Sequence, residues 1–414
     1  MMIRGVTKPL IAIVALLAAL SLFFFFLPVD EDGLSQGLAT LTLGGIVLLI
    51  VCYPYWGSIL IIASLPLVDL VPSFPFTSSA VSLLGVVTMG VFFAKRLRSQ
   101  KGQLVWGNVL VFGVLFLIWL VVTNPAAALL PSEDRVWAST FFQLVLFTWL
   151  SAQLFDDPAK HRSLIWFFSG ATLISAIFAL SQGGIAESAQ LSERAAGLAG
   201  GANSAARYFV VGLVLIYYLR LTTASGLLRF TLFVCMGIVV SGILYTVSRT
   251  GLLLLVAAVG LILTLQVEGK RRVPALMVMF LVLLIVWLFA DNIVAIFATI
   301  LPSIRAGTDT VGLRYKLWEA GWRMWLDHPF QGVGIGQYVE QLAYYGGDLL
   351  PPHKLRLGAH NMYVQVLAET GWIGFVLFVA MFATSARSLW RIGRSENIKA
   401  AQLAQIWFIV LTIM

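Results

Sequence analysis

Charge and cysteine are both scarce in this chain of 414 residues. Charged residues make up only 11% of the sequence, whereas they make up about 25% of a soluble globular domain. Cys52 and Cys235 are the two cysteines, and both fall inside apolar runs, so the sequence implies neither a disulfide framework nor a metal–thiolate site. This composition excludes a large soluble domain.

Apolar residues take the place of the missing charge. They make up 60% of the chain, whose mean hydropathy is +0.93, and they form repeated runs near the length of a bilayer crossing. The runs are too long and continuous for the short alternating strands of a transmembrane barrel. The sequence therefore predicts an all-α, polytopic helical membrane protein with about 12 transmembrane helices. The predicted spans are 9–27, 34–52, 57–71, 79–93, 104–122, 136–154, 164–181, 205–219, 230–247, 252–265, 273–289 and 361–384.

One polar break is far longer than the others. It covers residues 300–358 and separates a membrane domain, residues 1–299, from C-terminal spans within residues 359–414. Inside this insert, the run Gly312–Asp327 has tryptophans at helical spacing, which predicts an amphipathic helix at the membrane surface. The tryptophans are Trp318, Trp322 and Trp325, and the i,i+4 pairs predicted on another face are formed by Glu319, Arg323 and Asp327.

The distribution of lysine and arginine predicts the orientation of the chain. With the N-terminus in the cytoplasm, every strongly basic short loop lies on the cytoplasmic side. These loops are 95–101, 160–162, 220–229, 270–272 and 387–399. The net charge of +8 therefore reflects membrane topology, and no nucleic-acid partner is predicted. The insert faces the opposite side, together with segment 182–203 and Ser248–Gly251.

Several cations lie on this outer side, against the positive-inside bias. They are Arg135, Arg194, Arg249, Arg305, Arg314 and Lys316. An arginine near hydrocarbon costs about 2.5–3.5 kcal/mol on insertion scales, so a compensating carboxylate or anionic ligand is expected. An interfacial arginine that snorkels to lipid headgroups explains Arg249 equally well.

His360 is the candidate catalytic residue. It lies at the end of the insert, just before the last predicted span and on the side where the arginines gather. Nearby cations and a helix N-terminus both favour a neutral imidazole, which can accept a proton from a hydroxyl nucleophile. A lone histidine is more often structural than catalytic, so this interpretation needs support from other residues.

A set of motifs occurs in order along the second half of the chain. They are Ser248–Gly251, Arg314 ahead of Trp318, His328–Gly336, His360–Tyr363 and Glu369–Gly371. Together with the glycine-rich segment Arg194–Asn203, they resemble the O-antigen ligase/polymerase family, most closely its ligase branch. The resemblance covers residues 194–374. It implies a GT-C-like, metal-independent and inverting glycosyltransferase that needs no cofactor.

The resemblance also implies substrates, location and roles for residues. The donor is a glycan on undecaprenyl diphosphate, the acceptor is the lipid A–core oligosaccharide, and membrane lipids surround a site that faces the periplasm from the bacterial inner membrane. His360 would be the general base. The arginines that would bind the diphosphate are Arg194, Arg249 and Arg314, and the supporting residues are Lys316, Asn203 and Asn361.

Other functions stay open at this point. An O-antigen polymerase and a protein O-oligosaccharyltransferase fit the same motifs. Asp30 and Asp32 have the spacing of a divalent-metal site, although acidic residues in an outer loop also follow from topology alone. A transporter of lipid-linked glycan is the non-enzymatic alternative. It is disfavoured because the middle of each span is almost free of charge.

Overall fold

The computed structural model describes residues 44–70, 80–99, 104–123, 133–181, 195–246, 248–266, 273, 277 and 310–414. The described residues are mostly helical, and no strand occurs within these ranges. The protein is an all-α, polytopic membrane protein, as the sequence predicts. Span 9–27 and most of span 273–289 lie outside the described residues. The number of spans and the three-part division of the chain therefore stay predictions.

The described α-helices follow the apolar runs of the sequence. They are α1 (Tyr55–Ala63), α2 (Ala80–Ser99), α3 (Asn108–Thr123), α4 (Glu133–Leu154), α5 (Pro158–Ser181), α6 (Ala202–Thr222), α7 (Gly226–Tyr245), α8 (Arg249–Gln266), α9 (Thr310–Asp327), α10 (Tyr338–Gly346), α11 (Met362–Ile392) and α12 (Ile398–Ile413). Residues 44–52 are also helical, and short 3₁₀ helices occupy Leu65–Leu70 and Pro352–Lys354.

Four of the described helices are long and apolar enough to cross a bilayer, namely α5, α6, α7 and α11. Helices α3, α8 and α12 are also apolar but shorter. At 1.5 Å per residue, the 16 residues of α12 cover about 24 Å, less than the hydrocarbon core of about 30 Å. The predicted amphipathic helix is present as α9.

The prediction of a single helix over 57–71 is wrong. Helix α1 ends at Ala63, and the chain continues as the 3₁₀ helix Leu65–Leu70, which contains Pro66. Proline has no amide hydrogen and its ring clashes with the preceding turn, so an α-helix is broken there. The nine residues of α1 cover about 14 Å, which is too short to cross the membrane.

The chain divides into two compact units, one formed by residues 1–104 and 150–171 and the other by residues 105–149 and 172–414. Helix α5 contributes to both. In the first unit α1 packs on α2, and Gly57 lies against the side chain of Thr88. The rings of Trp56 and Phe167 meet edge to face, with centroids 4.8 Å apart.

Helix α6 forms the centre of the second unit. It packs against α7, α8 and α12, and every residue from Phe209 to Ile216 is buried. A helix that is apolar on all faces belongs to a protein core, which explains why α6 shows no polar stripe. Gly212 permits close packing, because a Cβ at this position would lie 2.4 Å from Cγ2 of Thr172.

A second core in the same unit joins α3 to α11. The fully buried ring of Phe116 contacts Phe141 and Phe378, with centroid distances of 5.4 and 6.0 Å. The indole N–H of Trp119 donates a 2.9 Å hydrogen bond to the carbonyl of Thr370. These contacts hold α11, whose N-terminal end follows directly after His360.

Candidate functional site

His360 lies in a constrained turn at the start of α11. Its φ is 50°, and no other non-glycine residue in the described ranges has a positive φ. Such a backbone conformation is unfavourable for most L-amino acids, and it persists where the surrounding structure enforces it. The preceding residue, Ala359, is fully buried, whereas His360 itself is exposed. The turn therefore presents the imidazole to the outside of the protein.

Asn361 has a structural role at this turn. Its Oδ1 accepts hydrogen bonds from the backbone N–H groups of Tyr363, at 3.0 Å, and Val364, at 3.4 Å. This is the arrangement of an N-cap, in which a side chain satisfies the free amides of the first helical turn. Asn361 therefore supports the site by fixing where α11 begins.

Helix α9 is attached directly to the His360 turn. The indole N–H of Trp318 donates a 3.0 Å hydrogen bond to the carbonyl of Ala359. Arg314 precedes Trp318 by four residues, so both lie on the same face of α9. The structure thus holds Trp318, one helical turn after Arg314, against the segment that carries His360.

Arg314 has no ion-pair partner among the residues that the structure describes. It is half-buried on α9, and Lys316, two residues later, is exposed. A guanidinium binds phosphate oxygens in a bidentate way, and an unpaired one near a protein surface favours an anionic ligand. Arg314 is therefore available to bind an anion.

A cavity of about 530 Å³ lies between α9 and α11. Its lining includes Tyr315, which follows Arg314, and Tyr363, two residues after Asn361. The indole rings of Trp318 and Trp322 complete the aromatic wall. Small-molecule sites typically have volumes of about 300–1,000 Å³. The space beside the Arg314 turn and the His360 turn is therefore large enough for part of a ligand.

The glycine-rich loop that follows α9 is locked to a break in α11. Helix α11 is interrupted at Gly371, where φ is 65° and ψ is −169°. At this break the amide of Trp372 donates to the carbonyl of Pro329 at 2.7 Å. The amides of Val333 and Gly334 donate in return to carbonyls of α11, at 2.9 and 3.0 Å. The loop and the broken helix therefore form one backbone-paired unit.

The carboxylate of Glu369 lies buried inside this unit. It accepts hydrogen bonds from the amides of Gly336, at 3.1 Å, and Tyr338, at 3.4 Å, and from the side-chain amide of Gln365, at 3.1 Å. Buried carboxylates need such donors because removal from water is costly. In the sequence, Glu369 is part of the motif Glu369–Gly371. A charged residue inside a predicted span is the sequence signal that marks it as important.

Asn203 and the Ser248–Arg249 turn come together on another part of the second unit. The hydroxyl of Ser248 donates a 2.8 Å hydrogen bond to Oδ1 of Asn203 and accepts one from the amide of Gly251 at 3.1 Å. Ser248 therefore caps α8, and Arg249 is its first residue. A Cβ on Gly251 would lie 2.5 Å from that of Ala206, so glycine allows α8 to approach α6.

The structure thus forms two pairs of predicted site segments. Asn203 lies beside the Ser248–Arg249 turn, and Arg314 lies on the helix attached to the His360 turn. No hydrogen bond or ion pair between described residues joins one pair to the other. Arg194 lies outside the described residues, as does the side chain of Arg249. That Arg194, Arg249, Arg314 and His360 form one site stays a prediction.

One prediction about α9 needs correction. Arg323 pairs with Glu319 as predicted, at 2.8 Å, but its other partner is Asp348 rather than Asp327. Its guanidinium holds the pKa of the Asp348 carboxyl below the usual value. The cause is α10, a helix that the sequence did not predict, because the chain after it brings Asp348 back to α9. The indole N–H of Trp318 is used within the protein, because it donates to the carbonyl of Ala359.

A comparison with protein families agrees with this geometry. Residues 234–379 match the family model described as O-antigen ligase. This segment is a domain of the O-antigen ligase/polymerase family. The resemblance to this family that the motifs indicate is therefore confirmed, whereas the ligase branch stays a prediction. None of the curated proteins compared with the chain matches it.

The O-antigen ligase domain contains most segments of the candidate site. It includes the Ser248–Arg249 turn, helix α9 with Arg314, and the His360 turn, and it ends within α11. Asn203 and Arg194 precede it. The match indicates a membrane-embedded transferase of the O-antigen ligase/polymerase type that acts on lipid-linked glycan. The branch of the family, and with it the acceptor, is a separate question.

Proposed function

We propose that this protein transfers an O-antigen glycan from undecaprenyl diphosphate to a hydroxyl of the lipid A–core oligosaccharide. The reaction takes place at the periplasmic face of the bacterial inner membrane and needs no metal ion. His360 is the general base. Arg194, Arg249 and Arg314 bind the diphosphate of the donor.

The proposed reaction is a single displacement at the anomeric carbon. His360 takes the proton from the acceptor hydroxyl as its oxygen forms a bond to that carbon. The bond from the anomeric carbon to the diphosphate oxygen breaks at the same time, with inversion of configuration. Negative charge then develops on the leaving diphosphate, and arginine side chains placed there stabilise it in the transition state.

The observation that carries this proposal is the hydrogen bond between Trp318 and Ala359. It fixes the helix bearing Arg314, which has no ion-pair partner among the described residues, to the turn that presents the exposed His360. The guanidinium of Arg314 can bind a phosphate, and the imidazole of His360 can accept the proton of a hydroxyl group. The aromatic cavity between α9 and α11 is lined by residues near both in sequence, namely Tyr315 after Arg314 and Tyr363 three residues after His360.

Reconstituted protein supplied with lipid-linked glycan and lipid A–core provides the test. We expect the wild-type protein to form the glycosylated lipid A–core in the presence of EDTA. Arg314→Ala should abolish this product, whereas Arg391→Ala, an exposed change at the far end of α11, should retain it. Normal transfer by Arg314→Ala would contradict the proposed role of this residue, and loss of activity in EDTA would favour a metal site at Asp30 and Asp32.

The choice of acceptor separates the branches of the family. Chain growth on the lipid carrier, with lipid A–core left unmodified, would identify an O-antigen polymerase. Glycan attached to a protein would identify a protein O-oligosaccharyltransferase. Movement of lipid-linked glycan across the bilayer without any glycoside product would identify a transporter.

A further inference from the structure

We propose that Glu369 is a positioning residue, which holds α10 against α11 and so keeps the Arg314 turn of α9 aligned with the His360 turn. This inference rests on the proposed function only for its effect on turnover. The mechanical part of the inference, namely that Glu369 holds α10 against α11, depends only on the contacts described below. It assigns a role to a buried carboxylate that does not take part in the proposed displacement.

Glu369 supplies an N-terminal cap that α10 does not provide for itself. The N-cap residue of α10 is Gln337, whose side chain makes no capping hydrogen bond. The Glu369 carboxylate instead accepts from the amides of Gly336 and Tyr338, at the start of the helix. A carboxylate at a helix N-terminus satisfies free amides and interacts favourably with the helix dipole. Here the cap comes from a different helix.

Helix α10 depends on such support because it is short. It has nine residues, and isolated helices shorter than about 12–15 residues are marginal in water. It packs on α9 through the buried side chains of Tyr338 and Leu342, and the hydroxyl of Tyr338 donates to the carbonyl of Leu317 at 2.5 Å. Burial and the nearby Glu369 both raise the pKa of the Tyr338 hydroxyl.

The backbone around Glu369 makes the attachment stiff. A Cβ on Gly332 would lie 2.3 Å from the carbonyl carbon of Glu369, and a Cβ on Gly371 would lie 2.3 Å from that of Phe330. Both glycines have positive φ, 71° and 65°. The two chains therefore approach more closely than any other residue type permits. Movement of Glu369 is transmitted to the loop between α9 and α10.

The contacts connect Glu369 to both sides of the Trp318–Ala359 hydrogen bond. On one side, the carboxylate caps α10, and α10 packs on α9, which carries Arg314 and Trp318. On the other side, Gln365 donates to Glu369 and lies near Gly358, two residues before His360. Glu369 is therefore linked to both segments that the proposed reaction needs in register, through α10 on one side and through Gln365 on the other.

The test compares Glu369→Gln with Glu340→Gln, a matched change at an exposed glutamate of α10. Glutamine has nearly the same shape, but its NH₂ group faces amides that can only donate. Spin labels at the exposed positions Tyr344 and Met362 report the distance between α10 and the start of α11, after Cys52 and Cys235 are replaced by serine. Turnover and the KM for the donor are measured on the same proteins without labels.

We expect a narrow distance distribution in the wild type and in Glu340→Gln, and a broad one in Glu369→Gln. Turnover in Glu369→Gln should fall about 100-fold, since misplacement by 1 Å has effects of this size, while the KM for the donor changes little. If Glu369→Gln does not fold, Gln365→Met keeps the carboxylate, removes one of its donors, and should give an intermediate broadening.

A narrow distribution in Glu369→Gln overturns the positioning role, whatever its turnover. A raised donor KM with unchanged turnover also overturns it, because that result indicates a role in binding. Absence of transfer by the wild type with every acceptor would refute the proposed function instead, and the distance measurement would still decide the mechanical part.

Discussion

The His360 position combines an uncommon backbone conformation with an exposed imidazole. Few L-residues adopt a φ of 50° readily, and asparagine is among those that do. The residue type at this position is therefore limited by the fold as well as by chemistry. Asparagine satisfies the conformational requirement but cannot accept the proton of a hydroxyl group at neutral pH, which allows the two requirements to be separated.

We expect His360→Asn to fold and insert normally but to lose about 10²–10⁴-fold in turnover, the usual contribution of a general base. Turnover in the reconstituted assay and the thermal midpoint of the purified protein are the measurements. His353→Ala, at another exposed histidine of the insert, is the control and should behave as the wild type. Turnover in His360→Asn within a few fold of the wild type would show that His360 is not the base.

Trp318 and Trp325 differ in the use of their indole N–H groups, although both lie on α9. That of Trp318 donates to Ala359, whereas that of Trp325 is buried and has no hydrogen-bond partner in the described part of the chain. Loss of the first leaves a carbonyl unsatisfied, which costs about 1–3 kcal/mol in a buried environment. Loss of the Trp325 N–H removes a donor that has no partner in the described part of the chain.

We therefore expect Trp318→Phe to lower both stability and turnover, because the α9 attachment to the His360 turn is weakened. Trp325→Phe should be neutral or slightly stabilising. Thermal midpoints and transfer rates of the two variants, compared side by side, check this. Equal effects of the two changes would show that loss of indole volume, and not of the Ala359 hydrogen bond, determines the outcome.

At the scale of elements, the break in α11 divides this helix into two parts with different surroundings. Gly371 interrupts a helix of 31 residues, and the 21 residues after the break cover about 32 Å, enough to cross a bilayer. The residues before it pair with the loop that follows α9. Helix α11 therefore consists of a membrane-crossing part and a shorter part that belongs to the site.

Gly371→Ala tests this division of α11. A methyl group there would clash with the backbone of Phe330 and would sit at a positive φ, so we expect a loss of at least about 1–3 kcal/mol in stability. Gly237→Ala on α7 is the matched control, because no atom lies within 4 Å of its Cβ position. That change should stabilise the helix by about 0.5–1 kcal/mol. Similar thermal midpoints for the two variants would contradict the account of the break.

Periodicity and composition predict the helices of this chain well, but not its interruptions. The amphipathic helix α9 follows from tryptophans at helical spacing, and its observed range is within two residues of the predicted one. The break at Gly371 is not visible in the same way, since the apolar pattern continues through it. Its cause is a close approach to Phe330, about forty residues earlier in the sequence. Such contacts between distant residues are outside the reach of local pattern.

At the scale of the whole molecule, the sequence predicts which residues matter better than it predicts how they meet. The arginines that are predicted to face outward stand out because they oppose the positive-inside bias. Their grouping into two pairs, Asn203 with the Ser248–Arg249 turn and Arg314 with the His360 turn, depends on Ser248 and Trp318. In the sequence, Ser248 stands out only as a neighbour of Arg249, and Trp318 only as one of the regularly spaced tryptophans after Arg314. The hydrogen bonds that they form are set by tertiary packing.

The remaining question at this scale is whether the two pairs act on one diphosphate. If Arg249 and Arg314 bind the same group, replacement of either by lysine removes part of a shared interaction. We expect each single change to lower kcat/KM for the donor about tenfold or more, the value of one hydrogen bond to a charged group. The double variant should lose clearly less than the product of the two, because residues that act as a unit are not additive.

The wild type, the two single variants and the double variant form a double-mutant cycle. Its control combines Arg314→Lys with Arg391→Lys, since Arg391 is exposed in the last turn of α11. Independent sites add within about 0.5 kcal/mol, and this pair should do so. A coupling energy of about 0.5–3 kcal/mol between Arg249 and Arg314, measured from the four kcat/KM values, would support one shared diphosphate site. If the effects of Arg249→Lys and Arg314→Lys on kcat/KM are as additive as those of the control pair, the two arginines belong to separate sites. Arg314 and His360 would then remain as the site, without a contribution from α8.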